Sequence, residues 1–259
     1  MSIHENFRQN NLEEIYHMQN NSEFKKVSLK WLELAIQFNY PYHFEWMGRP
    51  IIQYPTDIVS IQNIILDVKP DLIIETGVAW GGSLILSASM IALLDMIDAI
   101  EKGMSFDPRL SSRKVLGIDI EIRSHNRQAI SSHPLASRIE LLEGSSVSSV
   151  VINRVENIAK SYKTILVILD SSHTYDHVLE ELHLYGKFVS LDSYCLVLDT
   201  LIDDLPENAF KNKPYSKGNG PKMAVSKFLS VNKEFVVDQF AENLVGITCA
   251  PGGFLKKII

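Results

Sequence analysis

With two cysteines in 259 residues, Cys195 and Cys249, the chain has almost no scope for a disulfide framework. Both lie in apolar runs, S-Y-C-L-V-L and G-I-T-C-A, and read as small buried hydrophobes in a reducing compartment. Clustered positive charge is also scarce. Lys and Arg total 25 against 31 Asp and Glu, a formal net charge of −6, and basic residues adjoin only in a few pairs such as Lys25-Lys26 and Lys256-Lys257. Nucleic-acid binding through phosphate contacts needs such clusters, so it is not expected. The start, M-S-I-H-E-N-F-R-Q-N, has no apolar core of a signal peptide. The most apolar helical stretch, Leu84 to Ile97, reads as shorter than a bilayer span and carries Asp95. The expectation is a cytoplasmic protein without a transmembrane segment, free to associate loosely with a membrane that carries its substrate.

What is present is an ordinary globular composition, 46% hydrophobic and 22% charged, long enough for one large α/β domain with an extension. Residues 1–43 read as a helical extension, with apolar residues at Phe24, Val27, Leu29, Leu32, Ile36 and Phe38, that covers either the sheet or a partner subunit in a homo-oligomer. The segment F-E-W-M-G-R-P-I-I-Q-Y-P-T-D (44–57) reads as an irregular loop, either a lid or a strap with a buried Trp, before a helix capped by Thr56 or Asp57. From residue 71 onward apolar strands alternate with helices, the pattern of a mostly parallel sheet covered on both faces. Five strands are expected at 72–76, 114–120, 138–144, 164–170 and 194–199. Two closing runs, E-F-V-V-D-Q-F and L-V-G-I-T-C-A, are joined too closely for a crossover and predict an antiparallel hairpin.

The first of those strands leads into D-L-I-I-E-T-G-V-A-W-G-G-S, which reads as strand, tight turn and helix start. Glycines there let a ligand approach the backbone, and the helix start offers free N–H groups. The spacing G-x-x-x-G-G is not the dinucleotide fingerprint G-x-G-x-x-G, and Glu75 precedes the first glycine. A carboxylate in the turn repels a pyrophosphate and suits a cation. S-adenosylmethionine (SAM), with its ammonium and sulfonium, fits Glu75, Gly77, Gly81, Gly82 and Ser83. The plain alternative is a structural βα turn.

Ligands of open parallel sheets sit beyond the carboxyl ends of the strands. Acids recur at those ends: Glu75, Asp119, Asp170 and Asp199. Asp119, with Glu121 nearby, suits ribose hydroxyls, and Gly144, Ser145 and Ser146 suit a flat adenine. In L-D-S-S-H-T-Y-D-H, Asp170 and His173 flank a turn and can share a cleft; His173 is the candidate general base for a hydroxyl acceptor. Asp170 and Asp199 are candidate ligands for Mg²⁺, and Asp170 is alternatively a cofactor-binding partner of the SAM ammonium. Zinc at His173 and His177 lacks any H-E-x-x-H pattern, and Asp203 and Asp204 either join the cation site or face water.

Several segments together resemble the cephalosporin hydroxylase and rhamnosyl O-methyltransferase family: W-M-G-R-P-I-I-Q-Y-P-T-D, K-P-D-L-I-I-E-T-G-V-A-W-G-G-S, V-L-G-I-D-I, I-L-D-S-S-H, L-V-L-D-T and the tail P-G-G-F-L-K-K. They fall in the expected order over residues 44–259. The resemblance implies a Rossmann-like, class I SAM-dependent methyltransferase sheet and methylation of a hydroxyl on a sugar unit (polysaccharide or glycolipid) or a small natural product. It also implies a cofactor site at Glu75, Gly77, Gly81 and Asp119, and a divalent cation at the ends of the fourth and fifth strands. Where metal-dependent members carry a Glu-Asp pair, this chain reads Leu198-Asp199, one ligand fewer. The competing expectations are an NAD(P)-dependent or nucleotide-sugar oxidoreductase on a similar sheet, and a non-catalytic SAM- or glycan-binding member.

Overall fold

A computed structural model describes residues 3–259. In chain order the elements are α1 (Ile3–Asn20), α2 (Ser22–Gln37), a 3-10 turn (Tyr40–His43), β1 (Phe44–Trp46), β2 (Arg49–Ile51), α3 (Pro55–Val68), β3 (Leu72–Thr76), α4 (Gly82–Glu101), β4 (Lys114–Asp119), α5 (Ser124–Ser131), β5 (Ile139–Glu143) and α6 (Ser149–Ala159). There follow β6 (Ile165–Leu169), α7 (Tyr175–Tyr185), β7 (Tyr194–Val197), a 3-10 turn (Thr200–Asp204), α8 (Pro221–Val231), β8 (Phe235–Val237), α9 (Gln239–Asn243) and β9 (Phe254–Lys257).

Seven strands form one sheet in the order β5-β4-β3-β6-β7-β9-β8, with β3 to β7 parallel and β9 antiparallel to both its neighbours. Side chains alternate across a strand, so each buried strand feeds two cores. Ile73, Val115, Leu166 and Ile168 pack with residues of α3 and α4 on one face. Leu72, Ile74, Leu116, Val167 and Leu169 pack with α6, α7 and α8 on the other. The chain winds outward from β3 to β5, then returns to β6 on the opposite side of β3. That reversal sets the switch point of the sheet between β3 and β6.

Four expectations are corrected. The run 244–250 is not a strand. β8 pairs instead with Phe254–Lys257, and α9 lies between, capped by Asp238, whose Oδ1 accepts the N–H groups of Phe240 and Ala241. The backbone of 248–249 is claimed by α3: Asp57 Oδ2 accepts the Cys249 N–H at 2.9 Å and Oδ1 accepts the Thr248 hydroxyl. Asp57 is therefore a buried clamp rather than a helix cap; α3 starts at Pro55, whose missing N–H costs nothing at the first helical position. Within 44–57, β1 and β2 form a small hairpin through Met47 and Gly48, both at positive φ. The apolar helix is longer than read, Gly82–Glu101, and is the one described helix with the length and composition to cross a membrane. Here its apolar side packs on the sheet, and Asp95 near its end is tied to Arg113 and the buried Arg138.

Cys195 on β7 and Cys249 are both buried and unpaired. The N-terminal helices also pack on the body. Leu32 and Ala35 of α2 enter the core shared with α3 and α4, and α1 leans on α2 and α9.

Burial raises the Asp57 pKa from 3.8 to about 6, against the lowering effect of its bonds to Thr248 and Cys249. The folded chain thus holds this proton to higher pH than the unfolded chain. The stability linked to it is greatest below about pH 4, falls as pH rises to about 6, and is constant above. Asp57→Ala orphans a buried N–H and hydroxyl and should cost about 2–4 kcal/mol in denaturant unfolding. Asp57→Asn should cost less, and its stability relative to wild type should improve between pH 4 and 6; a gap that widens against the variant would contradict the assignment.

Candidate active site

The turn after β3 is shaped by close backbone approach. Gly77 (φ +92°) lies against the carbonyl of Asp170, where any Cβ would collide. Its N–H bonds Ile118 O on β4, and Asp170 N–H bonds Thr76 O, so the three strand ends are laced together. Ala79 and Gly81 also take positive φ, and Gly82 packs beneath the Pro50 carbonyl of the hairpin. Asp119 holds the turn from the side: Oδ2 accepts the N–H of Val78 at 2.8 Å and of Ala79 at 3.3 Å, while Oδ1 accepts Glu121 N–H at 3.2 Å. Asn126 Nδ2 donates to Ala79 O, and Arg49 donates to Trp80 O. The result is a ledge at the switch point where Gly77, Gly81 and Gly82 expose backbone beside the side chains of Val78, Ala79 and Trp80.

Glu75 lies below that ledge, 1% exposed. One carboxylate oxygen accepts the Ser83 hydroxyl and the other, Oε2, has no partner. Burial raises its pKa to about 7, only partly offset by Ser83. A buried half-satisfied carboxylate is costly and marks a place where positive charge would be welcome.

Above the ledge opens a cavity of about 510 Å³. Its floor is the turn from Gly77 to Ser83. One wall is the strap Pro50, Ile52, Gln53 and Tyr54; another is the 208–215 loop, with Phe210 and Tyr215. Asp170, His173 and Asp199 converge on it from the ends of β6 and β7. One donor atom from each lies within 4.8 Å of the other two, and His173 Nε2 is 3.2 Å from Asp199 Oδ2. Gln53 Nε2 donates to Asp170 Oδ2 at 3.2 Å. Burial, then the charges of Asp199 and Glu75, push the Asp170 pKa well above its ordinary value. Such a carboxyl gains from a cation or from keeping its proton. The ring of Tyr215 stands edge-on to His173, 5.2 Å between centroids, and Phe210 supports it in turn.

The site residues read from the sequence therefore separate into groups. Gly77, Gly81, Gly82, Ser83, Asp170, His173 and Asp199 line one cavity. Glu75 and Asp119 brace it from behind. Gly144 and Ser145 follow β5, two strands from β3, outside the cavity lining. His177 does not join His173: it faces Ser146, Ser171 and the buried Glu181. Asp203 and Asp204 are also engaged elsewhere. Asp203 accepts the N–H groups of Gly218 and Lys222, and Asp204 pairs with the Lys222 ammonium. Asp199 itself adopts φ +57°, so its side chain leaves the strand direction toward His173. Leu198, 3% exposed, contributes only hydrocarbon to the cavity lining. Sequence reasoning missed Gln53, Tyr42 and Tyr215; only the aromatic and proline content around 40–55 hinted at the first two. The strap is fixed rather than loose, with Trp46 Nε1 donating to Ser89 Oγ on α4 at 3.0 Å.

The chain is similar to known proteins over most of its length. The profile of the Rhamnosyl O-methyltransferase/CmcI family matches residues 38–258. Rhamnosyl O-methyltransferases of Mycobacterium bovis and Mycobacterium tuberculosis are 28% identical over 217 residues, 82% of this chain and 77% of theirs. That of Mycobacterium leprae is 26% identical over 216 residues, covering 82% of each. Among solved structures, CmcI with Mg and SAM superposes with a TM-score of 0.54 at 15% identity, over 84% of this chain and 78% of CmcI. Apo CmcI gives 0.53 at 16%, over 84% and 77%. The sheet order and the antiparallel last strand are those of the methyltransferase fold, and the chain belongs to the Rhamnosyl O-methyltransferase/CmcI family.

Proposed function

We propose that the chain is a SAM-dependent O-methyltransferase whose acceptor is a hydroxyl on a sugar unit. The observation that carries this reading is the convergence of Asp170, His173 and Asp199 on one cavity floored by the glycine ledge. SAM, when bound, supplies an electrophilic methyl group. The residues fit it: Gly77, Gly81 and Gly82 expose backbone in the cavity floor, and the unpartnered Oε2 of Glu75 beneath it favours a cationic ligand over a phosphate. Glu75 and Ser83 would serve the methionine end, Gly77, Gly81 and Gly82 the backbone approach, Asp119 the ribose, and Gly144 and Ser145 the adenine.

The acceptor oxygen must lose a proton as it takes the methyl. His173 is the group to receive it. With the Nε2 proton donated to Asp199, Nδ1 is left as the accepting nitrogen, and Asp199 offsets the charge of the imidazolium that forms. Asp170 and Asp199 would hold a divalent cation, which lowers the pKa of a bound hydroxyl and orients it. The rings of Tyr42, Tyr54, Trp80 and Tyr215 around the cavity offer flat apolar faces with polar edges, suited to a sugar. Because the curated relatives are rhamnosyl O-methyltransferases, a rhamnosyl unit is the first acceptor to try.

Two measurements test this. In calorimetry SAM and S-adenosylhomocysteine should bind and NAD(H) should not, and Glu75→Ala should weaken SAM at least tenfold, about 1.4 kcal/mol. Absence of SAM binding, or preference for NAD(H), would sink the reading. With a rhamnosyl acceptor, His173→Ala should lower methyl transfer by about 10²–10⁴-fold while leaving SAM affinity unchanged. Measurable SAM binding with no transfer by wild type to any sugar or small hydroxyl acceptor would favour a non-catalytic binder instead.

A further inference from the structure

Of the strap residues that wall the cavity, Gln53 alone also lines a second, much smaller cavity of about 10 Å³, at the lower limit of what holds one water. Ser83 and Leu198 border both spaces as well, and Glu75 lines the small one. Gln53 is 4% exposed and held firmly: Ile51 and Tyr54 are buried on either side of it, and α3 begins two residues on. Its Nε2 donates to Asp170 Oδ2 at 3.2 Å, while its Oε1 is buried without a partner. Glu75 Oε2, from the other residue of the small cavity, is a second buried acceptor without one. Two orphaned acceptors beside one small cavity are costly and call for an explanation.

A half-turn of the amide about its last bond answers both. The oxygen then stands where Nε2 now meets Asp170, and the two N–H donors turn toward the small cavity and Glu75. With nothing between them, the amide oxygen and Asp170 Oδ2 would repel each other; a cation shared by the two reverses the sign. We infer that Gln53 Oε1 is a third oxygen ligand of the divalent cation held by Asp170 and Asp199, an inference that rests on the proposed function for that cation. A carboxamide oxygen is a hard donor of the kind Mg²⁺ takes. The 3.2 Å contact is close to the roughly 3 Å that separates neighbouring oxygens around an octahedral Mg²⁺ with bonds of about 2.1 Å. His173 is the other donor at hand, but its Nε2 is engaged by Asp199 and its Nδ1 is needed for the acceptor proton. Leu198 offers only hydrocarbon, so the strap supplies the ligand from another wall. It does so without charge. Asp170 and Asp199 already balance the ion, and a neutral amide adds to its shell without placing a further carboxylate near the buried Glu75.

Calorimetric titration with Mg²⁺, in saturating S-adenosylhomocysteine, tests this on the full chain. Gln53→Met keeps the length of the side chain and removes the oxygen; it should weaken Mg²⁺ at least about tenfold, the least that loss of a supporting partner usually costs a metal site. Gln53→Glu returns an oxygen with a charge and should bind Mg²⁺ more tightly than wild type. A wedge that merely props up the strap would be harmed by both changes, so weakening in both, with unchanged circular dichroism, would overturn the ligand. So would wild-type affinity in Gln53→Met while Asp199→Ala loses the ion. If wild type takes up no Mg²⁺, or Asp199→Ala keeps it, the cation site itself falls and Gln53 with it. A crystal structure of the wild type with Mg²⁺ needs no variant: Gln53 Oε1 should lie about 2.1 Å from the ion, and a separation beyond about 3.5 Å would reject the assignment.

Discussion

The structure depends on the contact between two backbones at the switch point of the sheet. Gly77 can approach the carbonyl of Asp170 only because it has no side chain, and only at a positive φ. That approach brings the ends of β3 and β6 together, closes the ledge, and sets Asp170 at the edge of the cavity. Asp119 fixes the same turn from β4 by accepting two of its N–H groups. Everything chemical in the site is arranged around a backbone turn that side chains hold but do not fill.

Around that turn the chain gathers three carboxyls, Glu75, Asp170 and Asp199. The Asp170 pKa is raised first by burial and then by the charges of Asp199 and Glu75. No lysine or arginine pairs with any of the three among the described residues; the arginines of the fold are engaged elsewhere, Arg113 and Arg138 with Asp95 and Arg49 with Trp80 O. Carboxyls held close and out of water gain either by keeping a proton or by taking up a cation. The site is thus preorganised for positively charged ligands, which matches a sulfonium cofactor and a divalent ion better than it matches a dinucleotide.

Much of this was legible in the residues because the strongest signals are local. The runs around Ile73, Leu116 and Leu166 are too apolar to be anything but buried strands, and the acids that end them must lie at one edge of a parallel sheet. The G-x-x-x-G-G spacing marks the turn for the same reason that it shapes it. What could not be read depends on contacts between distant positions. Asp57 looks like a helix cap, and only the fold shows that its partners are Thr248 and Cys249, 191 and 192 residues on. Their bonds to Asp57 are also why an apolar, cysteine-containing run is not a strand. Likewise His177 sits four residues from His173, but the helix begins between them and carries it toward Ser146 and Ser171. Tyr215 gave no signal at all, since its role exists only where the 206–220 loop folds back over His173.

The placement of β9 sets the order in which the molecule can be made. The last strand of the chain lies between β7 and β8, so until Phe254 to Lys257 leave the ribosome β7 is an open edge and β8 has no neighbour. The 248–249 segment that closes onto α3 emerges just before β9. A nascent chain can therefore assemble β3 to β7 early, yet β7 and β8 wait for Phe254–Lys257 before they are joined. Such late, long-range pairing is slow and leaves a hydrophobic strand edge exposed meanwhile. A chain whose β9 fails to dock would keep most of the sheet intact and leave β7 prone to self-pairing, a burden on chaperones rather than a simple loss of activity.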